Sequence, residues 1–313
     1  MRMKLLVIFP CFNEEDILKS IINRFFLFFE ELMESETISS DSRICFVDDG
    51  SKDKTWDVIT SFSQDYINAI KFSNNYGHQR ALLAGLDTFK NEFDAYVTLD
   101  VDLQDDFKVI SEMISKYNQG NEIVYGVRND RTTDSVLKRG TANLFYTLMN
   151  KMGVKTIDNH ADFRLISNKA LLSFLKFPEA HLFLRAIFPV IGLQHAFVYY
   201  KRYPREEGES KYSLKKMISF AWDGITSFSA TPLRIVLLVG VFSVLLSILL
   251  LLWATIQLLT GNVIHGWFSM ITVVIFFGGI QTLAIGIIGE YVGKIFIQTK
   301  ERPRYLIDKI IRK

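Results

Sequence analysis

The chain has 313 residues, and its 36 basic side chains nearly balance 34 acidic ones, which argues against a general binder of nucleic acid or another polyanion. Hydrophobic residues make up 49% of it but are unevenly spread: residues 1–232 alternate apolar and polar stretches, and apolar runs dominate from Leu233 onward. Two cysteines, Cys11 and Cys45, lie in apolar strand-like runs and make no metal set, which fits core packing in a reducing compartment.

The opening M-R-M-K-L-L-V-I-F-P-C-F-N-E-E-D is only superficially like a secretory signal, since its apolar run stops at Phe9 and acidic residues follow at once. It predicts a first strand and then a helix from about Glu14. The alternation continues with R-I-C-F-V-D and a helix from about Lys54, then A-I-K-F-S and a helix over Gln79–Phe89. A-Y-V-T-L-D precedes a helix from about Phe107, and E-I-V-Y-G is a fifth strand. Strands alternating with helices predict an α/β, Rossmann-like domain with a mainly parallel sheet over residues 1–212, which would bind ligands at the carboxyl ends of its strands. No G-x-G-x-x-G follows the first strand and no G-x-x-x-x-G-K-[ST] occurs, so dinucleotide and P-loop chemistry lose their main support.

Residues 213–232 mix Lys215 and Lys216 with Ile218, Phe220, Trp222, Ile225 and Phe228, a composition suited to a helix lying in a membrane interface. Within 233–293, the charge-free runs Ile235–Leu258 and Trp267–Gly289 each exceed the roughly 20 residues that cross about 30 Å of hydrocarbon. The T-G-N-V-I-H-G connection has no Lys or Arg, whereas both outer flanks have many. The positive-inside rule therefore expects a two-pass protein with its N-terminal domain and a basic tail, 294–313, in the cytoplasm. Gly278, Gly279, Gly286, Gly289 and Gly293 offer small faces for helix packing, either within the hairpin or in a homo-oligomer.

The expected strand ends carry the chemistry. Asp100 and Asp102 stand at i and i+2 where a strand ends, so both carboxylates can reach one cation. Hard oxygen ligands that fill only part of a coordination sphere suit Mg²⁺ or Mn²⁺, with phosphate oxygens completing it. Taken singly, that pair or Asp48–Asp49 would pass as turn or cap residues. The ordered set P-C-F-N-E-E, V-D-D-G-S-x-D-x-T, N-N-Y-G-H-Q and L-D-V-D-L-Q-D, however, resembles the inverting family-2 glycosyltransferases of GT-A fold. A-D-F-R-L at Ala161–Leu165, R-x-x-R-x-x-G-E-S-K-Y from Arg202 to Tyr212, and I-T-S-F-S-x-x-P-L-R before the hairpin are similar to the polyprenyl-phosphate glycosyltransferases. That group includes dolichol-phosphate mannose synthases and bacterial undecaprenyl-phosphate sugar transferases, and the likeness spans essentially the whole chain.

The resemblance implies transfer of a sugar from a nucleotide-sugar, UDP-linked by expectation, to polyprenyl phosphate at the cytoplasmic face of a bacterial inner membrane. It implies donor contacts from Pro10, Phe12, Asn13, Glu14, Asp48, Asp49, Gly77, Gln79 and Asp100, and a metal at Asp100 and Asp102 with Gln104 beside them. Arg128, Lys138, Arg139, Arg202, Arg205 and Lys211 concentrate positive charge in the second half of the domain, as an acceptor phosphate needs. Asp102, Gln104, Arg128 and Asp162 are the catalytic candidates. Asp162 would be the general base if one is used, although D-F-R could equally be an internal ion pair ordering the acceptor loop. A phosphate monoester is largely ionised at neutral pH and needs a base less than a hydroxyl does. His78, His160 and His181 read as packing or capping residues. Ala161 replaces the usual Gly of G-D-F-R, and Arg185–Gly192 lacks the Trp of many relatives, so these segments do not fix the sugar, while the A-D-F-R and L-F-L-R pattern favours N-acetylglucosamine or glucose. Two alternatives stand beside this: a processive polysaccharide synthase, which needs a Q-x-x-R-W motif and more spans than occur here, and a non-catalytic membrane adaptor, which the intact acidic pair and basic cluster oppose.

Overall fold

The computed structural model describes residues 2–20, 22–129, 157, 160–179, 183–203, 225–227, 229–260 and 266–313. They divide into two units, one holding the sheet together with Arg302–Lys313 and the other holding two long apolar helices.

Strand β1 (Leu5–Cys11) is buried along its whole length, because it lies inside the sheet between β2 (Arg43–Asp48) and β4 (Ala95–Thr98), parallel to both. A strand covered on both faces reads as one apolar run rather than an alternation. β3 (Ile67–Phe72) continues the parallel set beyond β2. Helices α1 (Glu15–Ser20), α2 (Ile22–Glu34), α3 (Thr55–Ser61), α4 (His78–Thr88) and α5 (Ile110–Asn118) follow or connect these strands. On one face α2 turns Phe25, Phe26 and Phe29 inward, where Phe25 meets the Phe9 ring edge-on at 4.9 Å and Phe46 stacks on Phe9 at 5.4 Å. Each such pair contributes about 0.5–1.5 kcal/mol beyond its buried area. On the other face α4 comes so close to β1 that a Cβ on Gly85 would lie 2.6 Å from Ile8 Cγ2.

The sheet order is β7-β5-β6-β4-β1-β2-β3-β8, with β5 at Ile123–Arg128, β6 at His160–Ser167 and β7 at His195–Tyr200. β6 runs antiparallel to both β4 and β5, while β7 runs parallel to β5. Reversal of β6 places its beginning, not its end, at the edge where β1, β2, β4 and β5 finish. This mixed, mainly parallel sheet is the GT-A-like arrangement that the sequence predicts. Helix α6 (Asn168–Phe174) is started by Ser167, whose hydroxyl accepts from Ala170 N at 3.0 Å, and α7 (Leu184–Ile191) follows.

Helices α8 (Thr231–Leu259) and α9 (Trp267–Thr299) are apolar and long enough to cross a membrane. Within their unit, Tyr291 OH donates to Ser229 O at 2.5 Å and Lys294 Nζ donates to Ser227 Oγ at 3.0 Å. The interfacial helix expected over 213–232 lies largely outside the described residues. The expected tail at 294–313 is corrected by the structure. α9 runs on to Thr299, with Glu290 and Lys294 paired one turn apart at 3.7 Å, and Ile307–Ile311 then forms β8, antiparallel to β3. Lys313 N donates to Asn68 Oδ1 at 2.9 Å and Tyr305 stacks on Phe72 at 5.3 Å, so the chain end closes what would be an open sheet edge. Its charged residues made it look like a tail, yet exposed charge is common on edge strands. Because β8 is antiparallel to β3, it starts at the same edge of the sheet at which β7 ends.

Candidate active site

The carboxyl edge gathers polar groups from six strands. After β1, Asn13 takes a left-handed backbone (φ 54°), and its neighbours explain why: Asn13 N donates to Ser51 Oγ at 2.9 Å and Asn13 Oδ1 accepts from Lys52 N at 2.9 Å. Glu14 N is held by Thr55 Oγ1 at 2.9 Å, and Phe12 is 40% exposed. Pro10 pairs with Val47 inside the sheet.

After β2, the Asp49 carboxylate accepts from Tyr76 N at 2.6 Å and Gly77 N at 2.8 Å, fixing the loop that enters α4. Asp48 accepts from Ser51 N at 3.0 Å, while its Oδ2 is buried without a hydrogen-bond partner among the described residues. Burial pushes both carboxyls above the usual range, against the pull of their N–H partners. Gly50 between the strand and this turn has φ 67°, and a Cβ there would lie 2.5 Å from Asn74 C, so only glycine fits.

After β4 come Asp100, Asp102, Gln104 and Asp105. The Asp102 Oδ1 accepts from Gln104 N at 3.2 Å. The Asp100 carboxyl is pushed upward by burial and then by Asp105, Asp102 and Asp162, with His78 opposing. Such crowding of carboxylates fits a cation. Among the described residues no group of three or more His, Cys, Asp or Glu side chains could hold a metal alone, so this pair would supply only part of a coordination sphere.

His78, the first residue of α4, does not pack. Its Nε2 stands in the cleft 3.5 Å from Asp100 Oδ1 and 3.7 Å from Asp162 Oδ2. Gln79 points elsewhere: its Oε1 accepts from Leu184 N at 3.2 Å and so caps the start of α7.

The reversed β6 delivers Asp162, which is gripped from two sides. Arg164 Nη2 donates to Asp162 Oδ1 at 2.6 Å, and Arg185 Nη2 of α7 donates to Oδ2 at 3.1 Å. Burial alone would raise the Asp162 carboxyl, but Arg185 and Arg164 outweigh it and hold the group well below the usual carboxylate range. Arg164 is 1% exposed and lies 4.8 Å over the Phe188 ring. The D-F-R motif is thus an ion pair completed by a third partner, Arg185, which nothing in its local sequence announced. Nearby His160 is buried, meets the Tyr125 ring edge-on at 5.7 Å, and is pushed down to about 3 by burial and by Arg164 and Arg185. It packs as expected, and His181 lies outside the described residues.

Two expected phosphate ligands are already engaged. Arg128, at the end of β5, forks Asp105 with two hydrogen bonds of 3.1 Å, and Arg202, just after β7, donates to Gln104 Oε1. Asp105 carries no expected role in the sequence beyond its place in L-D-V-D-L-Q-D, yet it anchors this side of the site. Lys138, Arg139, Arg205 and Lys211 lie outside the described residues.

A mainly parallel sheet in which β6 and β8 run against the other strands, with an acidic pair after β4 near a buried aspartate–arginine cluster, is the arrangement expected of a glycosyltransferase. The chain belongs to glycosyl transferase family 2, whose profile matches residues 6–174, and a GtrB C-terminal hairpin matches residues 231–295. It is 48% identical to the uncharacterized glycosyltransferase YkoT of Bacillus subtilis (strain 168), over 97% of this chain and 91% of that protein. It is 40% identical to a bactoprenol glucosyl transferase of Shigella phage SfX, over 97% of this chain and 99% of that one. A prophage bactoprenol glucosyl transferase homolog of Escherichia coli (strain K12) is 36% identical, over 98% of this chain and 99% of the relative.

Proposed function

We propose that this enzyme transfers glucose from UDP-glucose to polyprenyl phosphate with inversion at the anomeric carbon, at the cytoplasmic face of a membrane that α8 and α9 span. One observation carries the reading furthest. The acidic site lies at the sheet edge where β7 ends and β8 begins, and these are the points where the chain leaves for and returns from the apolar helices. That connectivity supports an acceptor whose phosphate is carried on a lipid. Relatives named as bactoprenol glucosyl transferases or their homologs, matching over the full chain, support glucose rather than N-acetylglucosamine.

Asp100 and Asp102 would hold Mg²⁺ or Mn²⁺, which when bound supplies charge neutralisation for the leaving diphosphate. The protein's own residues do the rest. Phe12 offers a ring face at the nucleotide end of the site, and the loop fixed by Asp49 sets the start of α4 beside the diphosphate position. The acceptor phosphate oxygen attacks the anomeric carbon, a new C–O bond forms, and the bond to the diphosphate oxygen breaks with its electron pair leaving on the nucleotide. A phosphate monoester has its second pKa near 6, so no protein base is needed at neutral pH. That agrees with an Asp162 whose carboxylate is occupied by two arginines. The test is a panel of labelled UDP- and GDP-sugars with undecaprenyl phosphate in detergent, with and without Mg²⁺ or Mn²⁺ and with Asp102→Ala as control. Labelled lipid from UDP-glucose alone, lost in the variant and without metal, supports the reading. Labelled lipid from another donor corrects the sugar, and none from any donor with folded protein refutes the acceptor.

A further inference from the structure

Three contacts fasten the chain leaving β7 to the loop that carries the acidic pair. Asp105 and Arg202 form an isolated antiparallel bridge, Tyr203 N donates to Gln104 O at 2.8 Å, and the Arg202 guanidinium donates to Gln104 Oε1. On its other side Gln104 N donates to Asp102 Oδ1 at 3.2 Å, and Arg128 clamps Asp105. Gln104 is therefore the middle link of a chain of contacts from Asp102 to Arg202. The loop is held against its own preference, since Leu103 sits at φ 45° without being glycine. Gln104 and Asp105 are both buried, and the Arg202 Nε is buried too. Were Arg202 to swing out to a phosphate, it would leave the Gln104 carbonyl buried and unsatisfied.

We propose that Arg202 is a positioning residue rather than an acceptor-phosphate ligand: through Gln104 it locks the Asp102 loop to the segment that runs on to Arg205 and Lys211. This rests on the acceptor assignment made above. Its consequence is that the donor and acceptor sites are coupled. Whatever fixes Asp102 also fixes the exit of β7, and by thermodynamic reciprocity an ordered exit tightens the donor site.

The two roles for Arg202 separate when no lipid is present. Binding of UDP with Mn²⁺ to the full-length protein in detergent is measured by calorimetry for wild type, Arg202→Met, Arg202→Lys, Gln104→Met and the Arg202→Met/Gln104→Met double variant. KM for undecaprenyl phosphate and the thermal midpoint are recorded alongside. Loss of a charged hydrogen bond predicts about tenfold weaker UDP–Mn²⁺ binding in Arg202→Met, although no acceptor is there to be contacted. Arg202→Lys recovers part of it, and the double variant is no worse than the weaker single, because both remove one interaction. Unchanged UDP–Mn²⁺ binding in Arg202→Met together with a raised KM for the lipid overturns the proposal and makes Arg202 a direct phosphate ligand. Additive losses in the double variant overturn it as well. Should Arg202→Met fail to fold, Arg202→Lys makes the same comparison, with any loss of lipid-free binding in favour and none against. If wild type binds no UDP–Mn²⁺ or makes no lipid-linked sugar, the proposed function falls first and this inference falls with it.

Discussion

Asp162→Asn separates a structural anion from a proton carrier. The wild-type carboxylate is 7% exposed and answers Arg164, which is 1% exposed, and Arg185, whose side chain is 30% exposed. Asparagine keeps the shape and one acceptor oxygen but removes the charge, leaving a guanidinium in the interior without its counter-ion. Breaking a buried pair from one side costs about 3–5 kcal/mol. Arg185→Gln removes a partner that water partly screens, and the expected loss is smaller, about 1 kcal/mol. Replacing both members of the inner pair, Asp162→Leu with Arg164→Met, recovers much of the loss, since the one charge that then loses its carboxylate, Arg185, is partly exposed to water. Thermal unfolding of purified full-length protein in detergent, followed alongside turnover, reads all three. A structural role for Asp162 is refuted if Asp162→Asn melts with wild type while turnover collapses, because that outcome belongs to a group that accepts the reacting proton.

Three further expectations can be checked with the same preparation. His160 is pushed down to about 3, so it is neutral when folded and titrates in the unfolded chain near 6.5. A depressed histidine withdraws stability as pH falls below its unfolded value, amounting to about 2 kcal/mol between pH 7 and pH 5. His160→Phe should flatten that part of the pH–stability curve, and an unchanged slope would count against the assignment. Gly50→Ala forces a Cβ to within 2.5 Å of the Asn74 backbone at a positive φ, so folding yield should drop sharply, and further than in Gly120→Ala, which strains a positive φ but meets nothing within 4 Å. Truncation before Leu306 removes β8 and opens the β3 edge, so light scattering should show aggregation that the full-length protein lacks.

The parts of the fold legible in the sequence are those where burial and polarity change together. β1, β2, β4 and β5 are apolar runs that stop at polar residues, and each stop marks the edge where the site is built. β6 was hidden because it opens with His160, Asp162 and Arg164, which look like loop chemistry. A strand can bury them only because the charges answer one another and Arg185 completes the set from a helix far along the chain. β7 is half exposed and β8 carries Asp308 and Lys309, so neither shows the apolar run that betrays an inner strand. The sequence marks the candidate site residues as a set of positions but does not show their partners. Asp49 spends its oxygens on Tyr76 and Gly77, Gln79 caps α7, and Arg128 binds Asp105, pairings that depend on which strands become neighbours. His78 looked like a packing residue because nothing in N-N-Y-G-H-Q tells that Asp100 and Asp162 converge on it.

The central claim is transfer of one hexose onto a lipid phosphate, and the product itself tests it most directly. Full-length protein is incubated with UDP-α-glucose, undecaprenyl phosphate and Mg²⁺, and the lipid fraction is characterised by mass spectrometry and by NMR of the anomeric proton. Inverting transfer predicts a lipid heavier by one hexose, joined to phosphate in the β configuration, formed in step with released UDP and abolished by chelation or by Asp102→Ala. An α-linked product would contradict inversion, and release of UDP with free glucose and unmodified lipid would contradict the acceptor on which the whole account depends.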